Sequence, residues 1–440
     1  MTSDRDVDRA VDLAVVDATV VTMDATGTVL SGATVLVDGG VIVAVGPATG
    51  PPAVARRTIH AGGAIVLPGL VNAHTHLAMT MFRGLADDLD LAGFLARLLP
   101  AEGAVLSADT VAAGTMLAVA ECLRGGITTA LDMYFFPEAA GAVAAASGFD
   151  LRGGPVFVEF PGADRRRFAE RVEWADELLS STLPERRWLC PHSTYLLDEA
   201  QLVTVGELAA THGARVHVHA CETTAELAAV RERHGRTPIE VLRDTGLLGP
   251  CTVLAHGVHL DDDDLAMVAQ SGATVTHCPA SNQKLASGFA RLPDLLGAGV
   301  PVALGTDGAA SANDLDLWLG MRLAGYPVAV RDRPGAVSAT DLLAMATTGG
   351  SRAAGDPAIG TVEVGTRADL VVLDPSSPSL TPSYDAASTA AYAAARADVR
   401  WVVAAGRVVV DDRVLTTIDV DAAIAEVAAL QPAIRRAAAS

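Results

Sequence analysis

Pro68-Gly69-Leu70-Val71-Asn72-Ala73-His74-Thr75-His76 is a short apolar run that leaves a Pro-Gly turn and ends in two histidines one residue apart. Read as a β-strand, its period of two puts His74 and His76 on one face, about 7 Å apart along the chain. Two imidazoles so placed can converge on one metal ion. A His-x-His pair carries little weight alone. Its meaning comes from further ligand-type residues at the ends of other apolar runs.

Downstream, apolar runs alternate with helical stretches. Strand candidates follow at 127–134, 152–160, 187–193, 214–222, 251–256, 273–279 and 300–308, with helical patterns at 107–125, 164–181, 198–211, 223–233, 261–271 and 291–298. Residues 77–104 read as a long connection with one short helix. With 68–76 counted first, eight β/α units result, close to the roughly 250 residues usual for a (β/α)8 TIM-type barrel. A doubly wound sheet would carry a Gly-rich phosphate loop after its first strand, where His-Thr-His stands instead.

The two ends of the chain are β-rich. Residues 10–47 alternate valine-rich runs with turns, and Asp38-Gly39-Gly40 is a hairpin signal. Residues 48–60 read as a Pro/Ala loop, 368–374 and 399–412 as tail strands, and 420–438 as a closing helix. Neither end alone buries a core, so the two are expected to pack together as a small β-sandwich. The expected division is therefore 1–67 and 360–440 for the sandwich, around a barrel at 68–359.

Composition narrows the function classes. Of 440 residues, 50% are hydrophobic and 19% charged, which suits a well-buried core. A formal charge of −20 argues against nucleic-acid or anionic-membrane partners. No signal-peptide pattern opens the chain, and no charge-free run reaches the roughly 18 apolar residues of a membrane span. Cys122, Cys190, Cys221, Cys251 and Cys278 are scattered and lack Cys-x-x-Cys spacing, as reduced thiols of a cytoplasmic protein would be. The single lysine, Lys284, reads as genome composition.

Barrel chemistry sits at the carboxyl ends of strands. The first strand ends in His74 and His76, the fourth in His192, the sixth in His256 with His259 beyond, and the eighth in Asp307. The fifth carries His217, His219 and Glu222. Seven of the eleven histidines thus fall at or near strand ends. His74, His76, His219 and Asp307 form a three-imidazole, one-carboxylate set that zinc or ferrous iron accepts, with room left for water. Glu222, three residues past His219, can reach that water without binding the metal. His217 reads as a hydrogen-bonded core histidine ahead of a ligand, and His277 as structural. His60, His212 and His234 read as solvated.

PGLVNAHTH, VHVHACET, LAHGVHL, HCPASNQKLASG and ALGTDGAAS resemble, in order, the signature segments of the amidohydrolase superfamily. The likeness covers nearly the whole chain. It is greatest to the cytosine-deaminase-like branch, with its adenosine-type, methylthioadenosine and S-adenosylhomocysteine deaminases and its triazine hydrolases. The resemblance implies that His74, His76, His219 and Asp307 bind the metal and that Glu222 shuttles protons. It implies that His256 holds the nucleophile and that His192 faces the substrate. Two-metal relatives usually carry a carbamylated lysine at the end of strand four, where Pro191-His192 stands here. One divalent ion is expected, zinc first and iron as the alternative.

The implied reaction is hydrolytic deamination of an aromatic amidine-like carbon. The Pro-Cys-x-x-Cys signature of the other zinc base deaminases is absent. Residues 79–102 resemble the loop that binds nucleoside in adenosine-type members, with Glu102 on the ribose diol and Phe94 stacked on the purine. At Val158-Glu159-Phe160 the chain departs from relatives that supply arginine for the S-adenosylhomocysteine carboxylate. Arg165, Arg166 and Arg167 lie nearby, but a run of arginines on a helix reads as solvated, so S-adenosylhomocysteine is expected to be a poorer substrate than methylthioadenosine. The expected substrate is therefore adenosine or a 5′-modified adenosine such as methylthioadenosine. A free purine, pyrimidine or pterin base, a triazine, and a non-catalytic scaffold are the alternatives. A homo-oligomer is left open.

Overall fold

The computed structural model describes residues 10–47 and 54–438. Strand Leu70–His76 is buried at every position. It starts at Gly69, where a Cβ would lie 2.2 Å from Thr128 Oγ1, so no larger residue fits the turn. It pairs in parallel with Ile127–Asp132 on one side and Asp307–Gly308 on the other. From Ile127–Asp132 the order runs to Asp150–Gly153. Val156–Phe157 then leads through Trp188–Pro191, Arg215–Ala220, Thr252–His256 and Thr274–His277 to Val302–Leu304, all parallel. This is a TIM-type arrangement, built as a six-stranded and a four-stranded sheet rather than one closed ladder.

Both breaks fall inside units that the sequence reads as single strands, the third and the eighth. At the third, Pro155 lacks an N–H, and a Cβ on Gly154 would lie 2.0 Å from the Trp188 carbonyl oxygen. At the eighth, side chains reinforce a remaining backbone bond, from the Thr306 N–H to His74 O at 3.1 Å. Asn72 Nδ2 donates to Thr306 Oγ1 at 2.7 Å, and the Thr306 N–H donates to Asn72 Oδ1 at 3.0 Å. The break at the eighth unit frees Asp307 to turn toward the centre of the barrel mouth.

The terminal strands form one nine-stranded sheet rather than separate head and tail layers. Ile65–Pro68 pairs antiparallel with Leu370–Leu373, which joins head to tail. Ala55–His60, read from sequence as loop, is a strand parallel to Val11–Val21. Only Ile59 within it is buried, so the apolar alternation that marks a strand is missing. Residues 48–53 of the expected loop lie outside the described residues. The sheet curls back on itself: the Ala368 N–H donates to Gly40 O at 2.9 Å, around a core that includes Val15, Val35, Val66, Leu370 and Val372. The expected hairpin joins Val29–Asp38 to Val41–Pro47.

Asp150 ties this sheet to the barrel. It pairs with Arg152 at 2.8 Å, with Arg367 of the tail at 2.5 Å, and with Arg186. The short helix expected between residues 77 and 104 is a 3-10 turn, Leu77–Phe82, followed by the longer helix Leu91–Val105. The closing helix Val420–Ala438 packs against that helix, with Ile434 in the cluster that holds Phe94, Leu98 and Ala101. No single helix among the described residues is long and apolar enough to cross a membrane.

Candidate active site

His74, His76 and His219 stand together at the barrel mouth, with ligand atoms within 4.8 Å of one another. Hydrogen bonds set two of the tautomers. His76 Nδ1 donates to Met133 O at 2.6 Å and His219 Nδ1 to His192 O at 2.8 Å. The Nε2 lone pairs of both rings therefore face inward, 3.4 Å apart. His74 Nε2 is buried and has no hydrogen-bond partner among the described residues. Its Nδ1 meets His217 Nε2 at 2.9 Å, so His217 orients His74, as expected of a hydrogen-bonded core histidine.

Asp307 Oδ1 lies 3.2 Å from His76 Nε2 and 3.5 Å from His74 Nε2. Its Oδ2 accepts from Ser281 Oγ at 2.6 Å and Ser311 Oγ at 2.8 Å. Burial opposes its charge, yet the His74 and His76 rings beside it hold its carboxyl well below the usual range. The same contact pushes His76 up to about 8 against burial, so a bound cation would displace a proton from its Nε2, while burial takes His74 down to about 3. Converging lone pairs around a buried carboxylate make a donor set that a divalent cation completes.

Glu222 lies beside this set, with Oε2 3.7 Å from His256 Nε2. Burial, and then the charge of Asp307, push its carboxyl up to about 8. Its backbone is clamped by Glu226, which accepts from Cys221 N at 3.0 Å and Glu222 N at 2.7 Å. Cys221, His256 and Asp307 all have left-handed φ, at 55°, 77° and 60°. Such strain, of order 1–3 kcal/mol per residue, turns their side chains off the strand direction. His256 Nδ1 meets Asn282 Nδ2 at 2.9 Å. His259 donates to Ser287 O at 2.6 Å, and Ser287 Oγ lies 3.4 Å from Glu222 Oε1.

A cavity of about 490 Å³ opens over these residues. Glu102, Phe94, His192 and Tyr134 line it together with His76 and Glu222. Glu102 is no solvated loop carboxylate. It sits on helix Leu91–Val105, is 6% exposed, and accepts a hydrogen bond from Tyr134 Oη. Burial pushes it up to about 7. Burial also lowers His192 to about 3, so its ring faces the cavity neutral. Of the three arginines, Arg166 pairs with Asp164 and Arg167 with Glu170, while Arg165 lines the cavity with no ion-pair partner among the described residues. Glu159 does not line it and pairs with Arg233 at 2.9 Å.

His212 and His234 are not simply solvated: His212 Nε2 meets Asp176 at 2.7 Å and His234 Nε2 donates to Thr194 O at 3.0 Å. His60 is exposed and His277 is buried in its strand, outside the cavity lining. Asp132, Tyr134, Glu226 and Asn282 also stand at the site and are not among the residues expected from the sequence. Asp132 is buried, accepts from Leu77 N at 2.8 Å, and is pushed up to about 6 by burial.

The amidohydrolase family profile matches residues 65–409. The chain is 43% identical over 424 residues to a 5-methylthioadenosine/S-adenosylhomocysteine deaminase of Syntrophobacter fumaroxidans, covering 93% of this chain and 95% of that protein. It is 36% identical over 425 residues to a 5′-deoxyadenosine deaminase of Methanosarcina mazei, covering 94% and 96%. The crystal structure of an adenosine deaminase from Xanthomonas campestris with bound zinc superposes with a TM-score of 0.93 at 38% identity, covering 97% and 99%.

Proposed function

The chain belongs to the amidohydrolase family, and we propose that as a hydrolytic deaminase it releases ammonia from adenosine or a 5′-modified adenosine. The observation that carries this is the placement of Glu102. It is a buried carboxylate on the wall of the cavity whose floor holds His76, His219 and Asp307. Such a group suits a ribose diol, which offers it two hydroxyl donors. Phe94, on the same helix, offers a ring face to the purine.

His74, His76, His219 and Asp307 would hold one divalent ion, with zinc ahead of iron. Lys284 is tied to Asp87 and does not join the four ligands as a bridging group would. The ion supplies Lewis acidity that makes hydroxide available near neutral pH. Glu222, lifted to about 8 by burial, carries a proton at neutral pH. It gives that proton to the ring nitrogen beside the carbon under attack, recovers one from the attacking water, passes it to the departing ammonia and is reprotonated from the hydroxyl left on that carbon. His256 Nε2 and Asp307 Oδ1 hold the attacking water between them. His192, neutral, lies over His219 with ring centroids 4.5 Å apart and faces the base.

The 5′ end would lie against Leu95, Leu99 and Phe160. Glu159, paired with Arg233, does not repel a carboxylate there. Arg165 offers such a group a partner, so the homocysteine tail is read as accepted through Arg165. In the same reading, the described residues of 1–67 and of 360–440 make the split β-sandwich around the barrel at 68–359. Ammonia release across adenosine derivatives, free bases and triazines tests the substrate class. Activity confined to triazines would overturn it.

A further inference from the structure

Lys284 is the only lysine among 32 Lys and Arg residues. It ends helix Pro279–Lys284, which follows the seventh barrel strand. Its Nζ donates to Asn313 Oδ1 at 2.6 Å, to Asp87 Oδ1 at 2.7 Å and to Ala310 O at 3.3 Å. Asn313 Nδ2 closes the circuit by donating to Asp87 Oδ2 at 3.3 Å. Three acceptors thus meet the three N–H donors of one ammonium. A planar guanidinium does not reproduce that arrangement, which accounts for lysine at this one place in an arginine-rich chain.

The partners belong to different segments of the mouth. Asp87 follows the first strand, and Ala310 and Asn313 follow the eighth. Asn313 sits at a left-handed φ of 68°. Asp87 leads directly into helix Leu91–Val105, which carries Phe94 and Glu102. Arg83, on the same segment, donates to Asn313 O and pairs with Glu121. The helix that ends in Lys284 also carries Ser281, which donates to Asp307, and Asn282, which meets His256. One short helix therefore touches the reacting centre and, through Lys284, the segment that covers it.

We propose that Lys284 is a positioning residue whose ammonium clasps the segment around Asp87 to the barrel mouth, and so sets Phe94 and Glu102 over the bound nucleoside. This rests on the reading that those two residues face the nucleoside. The Lys284 and Asp87 side chains are 22% and 39% exposed, and a pair that open to solvent adds little to global stability. The effect therefore belongs in substrate binding.

The test uses the metal-loaded full chain, with Lys284→Met, Lys284→Arg, Asp87→Asn and the Lys284→Met/Asp87→Asn double variant. KM and kcat for adenine, adenosine and methylthioadenosine are measured with metal content and Tm. Lys284→Met and Asp87→Asn should each raise KM at least about fivefold with kcat within about twofold. Metal content and Tm should hold, and the double variant should be no worse than the poorer single. Lys284→Arg should restore part of the loss. Wild-type KM should rise with salt while that of Lys284→Met stays flat. An unchanged KM in Lys284→Met, with the wild type active, would overturn the role of Lys284 alone. Equal KM losses on adenosine and free adenine would do the same. A wild type inactive on every nucleoside would overturn the functional reading beneath it as well.

Discussion

Glu226 accepts the backbone N–H of Glu222 at 2.7 Å, so one buried carboxylate holds the backbone of another. The second oxygen of Glu226 takes the N–H of Cys221, whose φ of 55° makes the turn that aims Glu222 at the centre. Burial pushes the Glu226 carboxyl up to about 7, and each such bond contributes about 0.5–1.5 kcal/mol, more where the acceptor is ionised. Glu226→Gln keeps one strong acceptor and should lower kcat about tenfold, with metal retained. Glu222→Gln removes the proton carrier itself and should lower kcat at least about a hundredfold. Steady-state kinetics beside elemental analysis separates the two. Equal and small effects would detach Glu226 from Glu222.

The metal account predicts one divalent ion per chain in protein purified without chelator. His74→Ala and His219→Ala should each lose most of it, and chelation should abolish activity that zinc or ferrous iron restores. His217→Ala should weaken metal binding about 10–100-fold, because it frees the His74 ring that His217 orients. Two ions per chain at full activity would contradict the single-ion site.

Much of this site is legible in the chain because barrel chemistry gathers at strand ends. His74, His76, His219, His256 and Asp307 are found by that rule alone. The same rule applied to the second strand would have reached Asp132 and Tyr134, at the end of 127–134. Glu226 gave no such signal, since a carboxylate in the first turn of helix Thr224–His234 is what any capped helix carries. Asn282 is uncharged and sits in a six-residue helix that no periodicity announces. The broken third strand follows from Gly153-Gly154-Pro155, whose effect depends on Trp188, distant in sequence. The strand Ala55–His60 was hidden because one face of it stays exposed.

The role proposed for Arg165 is to separate substrates by their tails. Arg165→Ala should lower kcat/KM for S-adenosylhomocysteine about tenfold, the value of one charge-assisted contact, and leave methylthioadenosine unchanged. Parallel losses on both substrates would move Arg165 from tail recognition to loop structure.

Asp150 gives a pH-dependent stability term. Although buried, it is held far below the usual carboxylate range by Arg367 and Arg152. A depressed folded pKa means the stabilisation is complete above the unfolded value of about 3.9 and is lost as pH falls below it. Tm of the wild type should therefore exceed that of Asp150→Asn at neutral pH. The gap should narrow between about pH 4 and 2. A gap independent of pH would mean that Asp150 acts through packing alone.

Glu102 is proposed to read the sugar of an adenosine-type nucleoside. The most direct measurement is kcat/KM for adenine, adenosine, methylthioadenosine and S-adenosylhomocysteine on wild type and Glu102→Ala. Wild type should prefer the nucleosides to adenine by at least about tenfold, and Glu102→Ala should erase that preference while keeping its metal. Equal values for adenine and adenosine, unchanged by Glu102→Ala, would contradict it.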